Sequence, residues 1–209
     1  MSIVRSGDAF PAWCQLQSFE IVDLAPEETL DRTRRHRRER ILVTAGVLQI
    51  AHAAGSLSLR EGQFFDVADP GPYSLRSRSA PSQFIRMSGR WGDEVAGCGV
   101  FRIADEADPT DTGDPVAYAK TTRMDSHYHD YDEYWFLLEG RATVVVGGRF
   151  LDMRPGDAVT IGMGHHHDLA HAPEPVKAAF FETTLERGKR MGHLWEHTHG
   201  RAEPDPERV

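Results

Sequence analysis

Three side chains that can bind a metal ion lie close together in the second half of the chain. His127, His129 and Glu133 share the same parity within the apolar stretch 126–140. Side chains alternate between the two faces of an extended strand, so all three are predicted to point to one face of one strand. Two imidazoles and a carboxylate on one face make a ligand set for a transition metal, and we expect another strand to supply a fourth ligand.

Candidates for the fourth ligand lie downstream, where residues 156–167 end in His165, His166 and His167. His165 and His167 are two positions apart, so on a strand both side chains point to the same face. His166 is also a candidate for the fourth ligand. His171 is interpreted in two ways, as a proton donor that lines the pocket or as a residue of the pocket wall.

Together, the two stretches resemble the paired motifs of the cupin superfamily, G(x)5HxH(x)3-4E(x)6G and G(x)5PxG(x)2H(x)3N. The positions that match are His127, His129, Glu133 and Gly140 in the first motif and Gly156, Gly164 and His167 in the second. Thr121 stands near the leading glycine of the first motif, and Gly162 and His171 replace the proline and asparagine of the second. The resemblance spans roughly residues 117–171. It implies a small antiparallel β-barrel, a double-stranded β-helix or jelly roll, with one metal on His127, His129, Glu133 and His167.

The first half of the chain repeats part of this pattern. Glu39, Gly46 and Gly62 lie 94 residues before Glu133, Gly140 and Gly156. The same offset places Thr33, Arg35 and Tyr73 where the second half has His127, His129 and His167. Arginine is permanently charged and does not bind a cation. We therefore expect a degenerate first barrel without a metal, kept for packing, dimerisation or a small anionic ligand.

Short strands at regular spacing, separated by Gly and Pro turns, predict an all-β chain with two cupin-type barrels. The predicted divisions are a degenerate barrel in residues 1–103, an acidic linker or loop in 104–115, and a metal-binding barrel with a C-terminal tail in 116–209. Residues 116–124 are expected to form a strand that enters the metal motif, and 176–184 the last barrel strand. Gly147 and Gly148 are expected to form a tight hairpin turn.

Two further features of the sequence allow more than one interpretation. Residues 32–40 hold six arginines, which favour a salt-bridged strand edge over an anion-binding mouth or a docking surface for an acidic partner. In the tail, His193, His197 and His199 could form a second metal site. An exposed tail in which Leu194 and Trp195 pack on the barrel or a partner chain is the favoured interpretation.

Bulk composition excludes several classes of protein. The 209 residues are 40% hydrophobic and 27% charged, with a formal net charge of −8, which disfavours nucleic acid and anionic membranes as partners. No apolar run approaches the ~20 residues of a membrane-spanning helix, and the N-terminus lacks a signal pattern. Only two cysteines occur, Cys14 and Cys98. We therefore predict a cytoplasmic protein without a disulfide framework that binds a small-molecule substrate and forms a homodimer.

The predicted ligand set suits Fe(II) first, with Mn(II), Ni(II), Co(II) or Zn(II) as alternatives. We expect a metal-dependent enzyme that acts on a small oxygen-rich molecule, with an Fe(II) dioxygenase as the leading reaction. An O2-independent isomerase, epimerase or lyase is the second possibility, in which Glu133 or His171 acts as a catalytic group that moves a proton. A non-catalytic cupin that binds a metal or small molecule is the third, and a closed zinc site would favour it. Imidazole binds metal only when neutral, so affinity is expected to fall as the pH drops through about 6.5.

Overall fold

Short apolar segments separated by glycine-rich turns form β-strands in the computed structural model, which describes residues 2–110, 112–185 and 189–209. In chain order, the elements are β1 (Ile3–Arg5), β2 (Leu16–Leu24), β3 (Thr29–Thr33), β4 (Arg38–Ala45), β5 (Val47–His52), β6 (Gly55–Arg60), β7 (Phe64–Asp66), β8 (Pro72–Ser77), β9 (Ser82–Gly89), β10 (Val95–Ile103), β11 (Glu133–Glu139), β12 (Ala142–Val146), β13 (Arg149–Met153), β14 (Asp157–Ile161), β15 (His167–His171), β16 (Val176–Thr184) and α1 (Glu196–His199). The predicted all-β class is confirmed. Among the described residues, no helix is long and apolar enough to cross a membrane.

The strands form four sheets with the orders β3-β8-β5-β6, β2-β9-β4-β7, β10-β16-β11-β14-β1 and β15-β12-β13. Alternate residues of each strand point to opposite faces, so each central sheet contributes to two cores. One core lies between the first two sheets and includes Ile41 and Phe84. The middle core joins the second and third sheets through Phe19 and Phe136, and the last lies between the third and fourth sheets.

The same strand order occurs twice along the chain. The order β2-β9-β4-β7 returns as β10-β16-β11-β14, and β8-β5-β6 returns as β15-β12-β13. Gly46 and Gly140 explain why glycines mark the repeat. Both have a positive φ, and an added Cβ would come 2.4 Å from the Pro81 carbonyl oxygen or 2.5 Å from that of Pro175.

Two strands that precede residue 104 belong to the third sheet. β1 pairs with β14, and β10 pairs with β16 over its whole length. The predicted division at residues 103 and 104 stays a prediction, as do the two barrels as separate units. In the predicted linker 104–115, the amide of Asp105 donates to the Ala172 carbonyl over 3.1 Å. Asp111 of that linker and residues 186–188 of the predicted tail lie outside the described residues.

Local predictions in the second half were confirmed in part. The hairpin at Gly147 and Gly148 and the last strand β16 are as expected. The predicted strand at 116–124 was wrong, because this segment is a loop that lies against β15. There the Thr121 amide donates to the Ala170 carbonyl, and the Thr122 hydroxyl donates to that of Leu169.

Candidate metal centre

The tertiary fold brings His127, His129, Glu133 and His167 together. One donor atom from each of the four side chains lies within 4.8 Å of those of the other three, and all four residues are at most 3% exposed. Donor atoms on opposite sides of one ion are about 4 Å apart at a bond length of about 2.1 Å. The cluster is therefore close to the size that a single ion requires.

The expectation that three of these residues share one strand was wrong. β11 begins at Glu133, where it pairs with Ile161 and Glu182. His127 instead forms an isolated bridge with His167, and the chain bends between His129 and Glu133. The bend and the bridge between His127 and His167 bring the two segments to one end of the sheet. The four side chains meet for this reason, and not because they alternate along one strand.

Backbone carbonyls fix the orientation of two imidazole rings. Nδ1 of His127 lies 2.8 Å from the Asp125 carbonyl oxygen, and Nδ1 of His167 lies 2.9 Å from that of His165. A carbonyl oxygen only accepts, so Nδ1 carries the proton of each neutral ring. The Nε2 lone pairs are thereby left for a ligand, which is the usual arrangement around a metal-binding histidine.

Several polar atoms in the cluster fit a metal and little else. Nε2 of His167 lies 2.9 Å from Oε2 of Glu133, yet neither atom has a hydrogen-bond partner of standard geometry among the described residues. Both ring nitrogens of His129 also lack such a partner there. Buried polar groups are nearly always paired, and two lone-pair-bearing atoms at this distance require a cation or a proton between them. The four residues therefore fit a divalent metal ion.

Burial prepares the cluster to bind that ion at neutral pH. Burial, with His167 nearby, lowers the pKa of His127 and lowers that of His129 well below 6.5. Burial acts to raise the pKa of Glu133, but the His167 and His127 rings and the Trp135 N–H outweigh it, so the net change is downward. The ligands are thus two neutral imidazoles and a carboxylate, with His167 as the fourth group.

The other histidines that the sequence offered lie elsewhere. His165 has its Nε2 2.9 Å from the Asp205 carbonyl oxygen, and His166 has its Nε2 2.9 Å from Asp114. His171 lies at the far end of β15, about 13 Å from His167 at the usual rise of a strand, with Nδ1 2.8 Å from the Thr121 hydroxyl. The structure therefore separates His171 from the cluster.

Sequence reasoning missed two groups that face the site. Glu182 is opposite Glu133 on β16, and its Oε1 lies 4.0 Å from Nδ1 of His129. Burial and the Glu133 carboxylate raise the pKa of Glu182 to about 7. The Tyr131 ring lies 4.6 Å from the His129 ring, and its buried hydroxyl has no hydrogen-bond partner of standard geometry among the described residues. The 94-residue offset pairs Glu182 with Ser88, so the repeat alone gave no signal for a carboxylate there.

Residues 189–200, here called the C-terminal cap, cover this end of the sheet. The backbone of Leu194 exchanges two 3.1 Å hydrogen bonds with Tyr128. The His193 ring stacks on that of His127, with centroids 4.1 Å apart and planes 3° apart. The Asp125 carboxylate accepts from Trp195 Nε1 and lies 3.3 Å from His193 Nδ1. This bond raises the pKa of His193. His193 and Asp125 also line an outer cavity of about 540 Å³.

The first half carries a buried ion pair at the corresponding place. Oε2 of Glu39 lies 2.8 Å from a guanidinium nitrogen of Arg86 and accepts from Ser88 over 2.8 Å. Tyr73, the counterpart of His167 in the repeat, donates to Oε1 of Glu39 over 2.6 Å. The Arg35 amide also donates to Oε2 of Glu39 over 3.3 Å, so a fixed cation and three neutral donors satisfy this carboxylate, and no metal cluster includes it among the described residues.

This architecture, antiparallel sheets packed face to face with a histidine and glutamate cluster inside one end, is that of a jelly-roll barrel with a candidate metal site. The chain belongs to the cupin superfamily. The family model described as "Cupin domain" matches residues 116–182, which include all four cluster residues.

Comparisons with individual proteins agree with this membership. The chain is 50% identical over 210 residues to the uncharacterized protein y4oW of Sinorhizobium fredii (strain NBRC 101917 / NGR234), covering 100% of this chain and 97% of that protein. Oxalate decarboxylase of Bacillus subtilis, which has Mn(II) centres, is 12% identical with a TM-score of 0.56, covering 87% of this chain and 72% of that one. YhaK of Escherichia coli is 13% identical with a TM-score of 0.56, covering 88% and 93%. At these identities, the two solved structures share the fold.

Proposed function

We propose that this protein is a metal-dependent enzyme that moves a proton on a small oxygen-rich substrate, as an O2-independent isomerase, epimerase or lyase does. The observation that carries the proposal is Glu182, a second buried carboxylate 4.0 Å from a ring nitrogen of His129. Burying a carboxylate beside the Glu133 carboxylate costs stability, so this position suits a proton-transfer group better than a structural one.

The metal would be held by His127, His129, Glu133 and His167. This donor set accepts Fe(II), Mn(II), Ni(II), Co(II) or Zn(II). When bound, such an ion supplies a Lewis acid that polarises a carbonyl or carboxylate oxygen of the substrate. The two ions to test first are Mn(II), which the structurally similar oxalate decarboxylase has, and Fe(II), which is the first expectation from the sequence.

Two side chains of this protein then handle the proton. The Glu182 carboxyl would exchange it with a substrate carbon or oxygen next to the metal, since its raised pKa allows both protonation states near neutral pH. The Tyr131 side chain lies beside the Glu182 carboxyl, and its hydroxyl would orient that carboxyl or a substrate oxygen next to it. His171 lies too far along β15 for a role in this step.

The C-terminal cap would control access. His193 separates the cluster from the outer cavity, and 46% of its side chain is exposed. Displacement of this one ring would admit a small molecule, and its return over His127 would exclude water from the proton transfer.

An Fe(II) dioxygenase is the second candidate, and the ligand set itself favours it. Three imidazoles and one carboxylate suit iron as well as manganese, and four protein ligands leave two positions of an octahedral ion for substrate and O2. The dioxygenase reaction does not require Glu182. A substitution of Glu182 therefore distinguishes the two candidate reactions.

The test compares the wild-type protein with Glu182→Gln, and with Glu174→Gln as a control at a half-exposed carboxylate. Each protein is loaded with Mn(II) or Fe(II), and small hydroxy acids, keto acids and sugars are screened by NMR for incorporation of solvent deuterium and by an oxygen electrode for O2 uptake. We expect deuterium incorporation without O2 uptake. We also expect it to fall about 100-fold or more in Glu182→Gln, the usual size of a general acid–base contribution, while metal content is unchanged. Substrate-dependent O2 uptake that survives in Glu182→Gln would replace this proposal with the dioxygenase.

A further inference from the structure

A second cavity, of about 460 Å³, lies in the first half of the chain and is rich in arginine. Its lining residues are Asp31, Arg32, Thr33, Arg35, Pro72 and Arg86. By the 94-residue offset, Thr33 and Arg35 are the counterparts of His127 and His129. The cavity thus lies at the end of the first pair of sheets that corresponds to the metal centre in the second pair.

Arginine side chains line this cavity, and one of them, Arg35, stands where the offset places His129 of the metal centre. Arg86 is 2% exposed, and it reaches Glu39 at 2.8 Å and the Thr33 carbonyl at 2.5 Å. Its guanidinium group takes the position opposite the buried carboxylate that a metal ion would take in the second half. Arginine cannot lose its proton, so the charge is independent of pH and of metal supply.

Some of the N–H groups here have no acceptor. Nε of Arg86 and Nε of Arg32 are buried, and neither has a hydrogen-bond partner among the described residues. Most other arginines of the 32–40 run are engaged. Arg40 binds Asp66 through two bonds of 2.7 Å, Arg38 pairs with Asp93, and Arg34 donates to the Ala68 carbonyl. Nε of Arg38 and Nη1 of Arg40 also lack a partner among the described residues, so two of these four unsatisfied donors, Nε of Arg32 and Nε of Arg86, belong to residues that line the cavity.

Three acidic groups near the cavity equal its three arginines in number, so an anion would be held by N–H donors that remain available rather than by an excess of positive charge. Glu20 pairs with Arg35 at 2.5 Å and lies 3.8 Å from Arg86, and Glu39 pairs with Arg86. Asp31 lines the cavity as an exposed residue. Arg35 is half exposed, and each guanidinium has five N–H donors, so Arg35 can keep its bond to Glu20 and still bind a ligand.

We propose that this cavity binds a small oxyanion, a carboxylate or phosphate held by Arg32, Arg35 and Arg86. Guanidinium groups match both anions through paired N–H···O bonds. The site is independent of the metal centre and of the reaction proposed there. It gives the metal-free half of the chain a ligand of its own, of the charge type that a metal-bound substrate would have.

The experiment is isothermal titration calorimetry of the full chain with malonate and, separately, with inorganic phosphate, after the protein has been treated with a chelator and then dialysed. Chelation removes the ion that could hold these anions at the metal centre, and the variants below locate the binding that remains. The two titrations distinguish a carboxylate ligand from a phosphate ligand. Binding is expected to remain in His129→Ala, whatever that variant does to the metal centre.

Three variants and one control locate the site. Arg32→Gln and Arg35→Gln are each expected to weaken binding about tenfold or more, as the loss of a charge-assisted hydrogen bond predicts. Asp31→Asn is expected to tighten it, because a negative charge leaves the cavity wall. Arg37→Gln, an exposed arginine of the same run outside the cavity lining, is expected to change affinity less than about twofold, since solvent and salt screen it.

Arg86 requires a paired substitution, because Arg86→Met alone leaves Glu39 buried without its cation. The double variant Glu39→Gln/Arg86→Met keeps the interior neutral and is expected to fold but to bind neither anion. The proposal is overturned if the wild-type protein shows no saturable binding of either anion. It is also overturned if Arg37→Gln weakens binding as much as Arg35→Gln, which would indicate a diffuse charge effect, or if binding disappears in His129→Ala.

Discussion

The buried ion pair between Glu39 and Arg86 in the first half allows a quantitative test of how much the arginine charge stabilises the buried carboxylate. Arg86→Met removes the one cation within hydrogen-bond distance of Glu39 in the described structure and keeps most of the apolar stem of the side chain. Glu39 is 2% exposed and would retain three neutral donors, the Tyr73 hydroxyl at 2.6 Å, the Ser88 hydroxyl at 2.8 Å and the Arg35 amide at 3.3 Å. The variant therefore isolates the contribution of the positive charge.

The expected loss is large for a single substitution. Removing one partner of a buried ion pair costs about 3–5 kcal/mol because the remaining charge is left uncompensated. The three remaining donors to Glu39 place the expected loss at the lower end, about 3 kcal/mol. For a chain of this size, that corresponds to a fall in Tm of roughly 6–12 °C. In Glu39→Gln/Arg86→Met no charge is buried, and the loss is expected to be below about 1 kcal/mol.

The assay is urea unfolding followed by tryptophan fluorescence, supported by thermal melts, on chelator-treated protein. Metal content of Arg86→Met is measured in parallel and is expected to equal that of the wild type, because the cluster of the second half is untouched. A double variant as unstable as Arg86→Met would refute the reasoning, since it would show that lost packing rather than an unpaired charge causes the effect. So would an Arg86→Met protein that unfolds at the wild-type midpoint.

Three further predictions concern the metal centre. In His129→Ala, elemental mass spectrometry should show that most bound metal is lost. The variant should also lose the stabilisation that the metal gives, about 2.7 kcal/mol at a metal concentration of 100 times the Kd. The control His36→Ala, at an exposed histidine, should lose neither, and full metal retention in His129→Ala would refute the site assignment. Because burial lowers the pKa of His127 and His129, metal affinity measured by chelator competition should stay nearly constant down to pH 6.5 and fall only in more acidic solution; a decline that begins above pH 7 would contradict this. Glu182 has a pKa raised from 4.5 to about 7, so its contribution to stability is present below pH 4.5 and is lost as the pH rises through 7. Metal-free Glu182→Gln should therefore gain stability relative to wild type between pH 5 and pH 8, by up to about 3 kcal/mol in urea unfolding, and an equal difference at both pH values would count against the shift.

Much of the fold could be predicted from the sequence because short-range rules govern it. Apolar alternation and Gly or Pro turns predicted an all-β chain, and the hairpin at Gly147 and Gly148 followed from turn chemistry alone. The repeat of Gly46 and Gly140 can be seen in the sequence. The structure explains why both positions are glycine, because a Cβ at either turn would clash with a carbonyl oxygen.

Local rules failed where a segment's partner is distant in the sequence. Residues 116–124 look like a strand, but the segment is a loop beside β15, which it meets through a backbone bond from Thr121 to Ala170 and a hydroxyl bond from Thr122 to Leu169. His127, His129 and Glu133 lie together as expected, but not because they share one strand. A bend interrupts the predicted strand before Glu133. The bridge between His127 and His167 then holds the two histidine segments side by side.

The sequence by itself determined the chemical identity of the candidate metal centre, because imidazole and carboxylate groups at cupin spacing carry their donor atoms with them. It also determined that the first half is unsuited to a metal, because arginine replaces histidine there. Only the tertiary structure decided what surrounds these groups. Glu182, Tyr131 and His193 reach the centre from β16, the bend and the C-terminal cap, and Arg86 reaches Glu39 from β9. Such contacts join residues up to 66 positions apart in the chain, as between His127 and His193. Burial shifts the pKa values of these groups, and burial is a property of the packed molecule rather than of any segment.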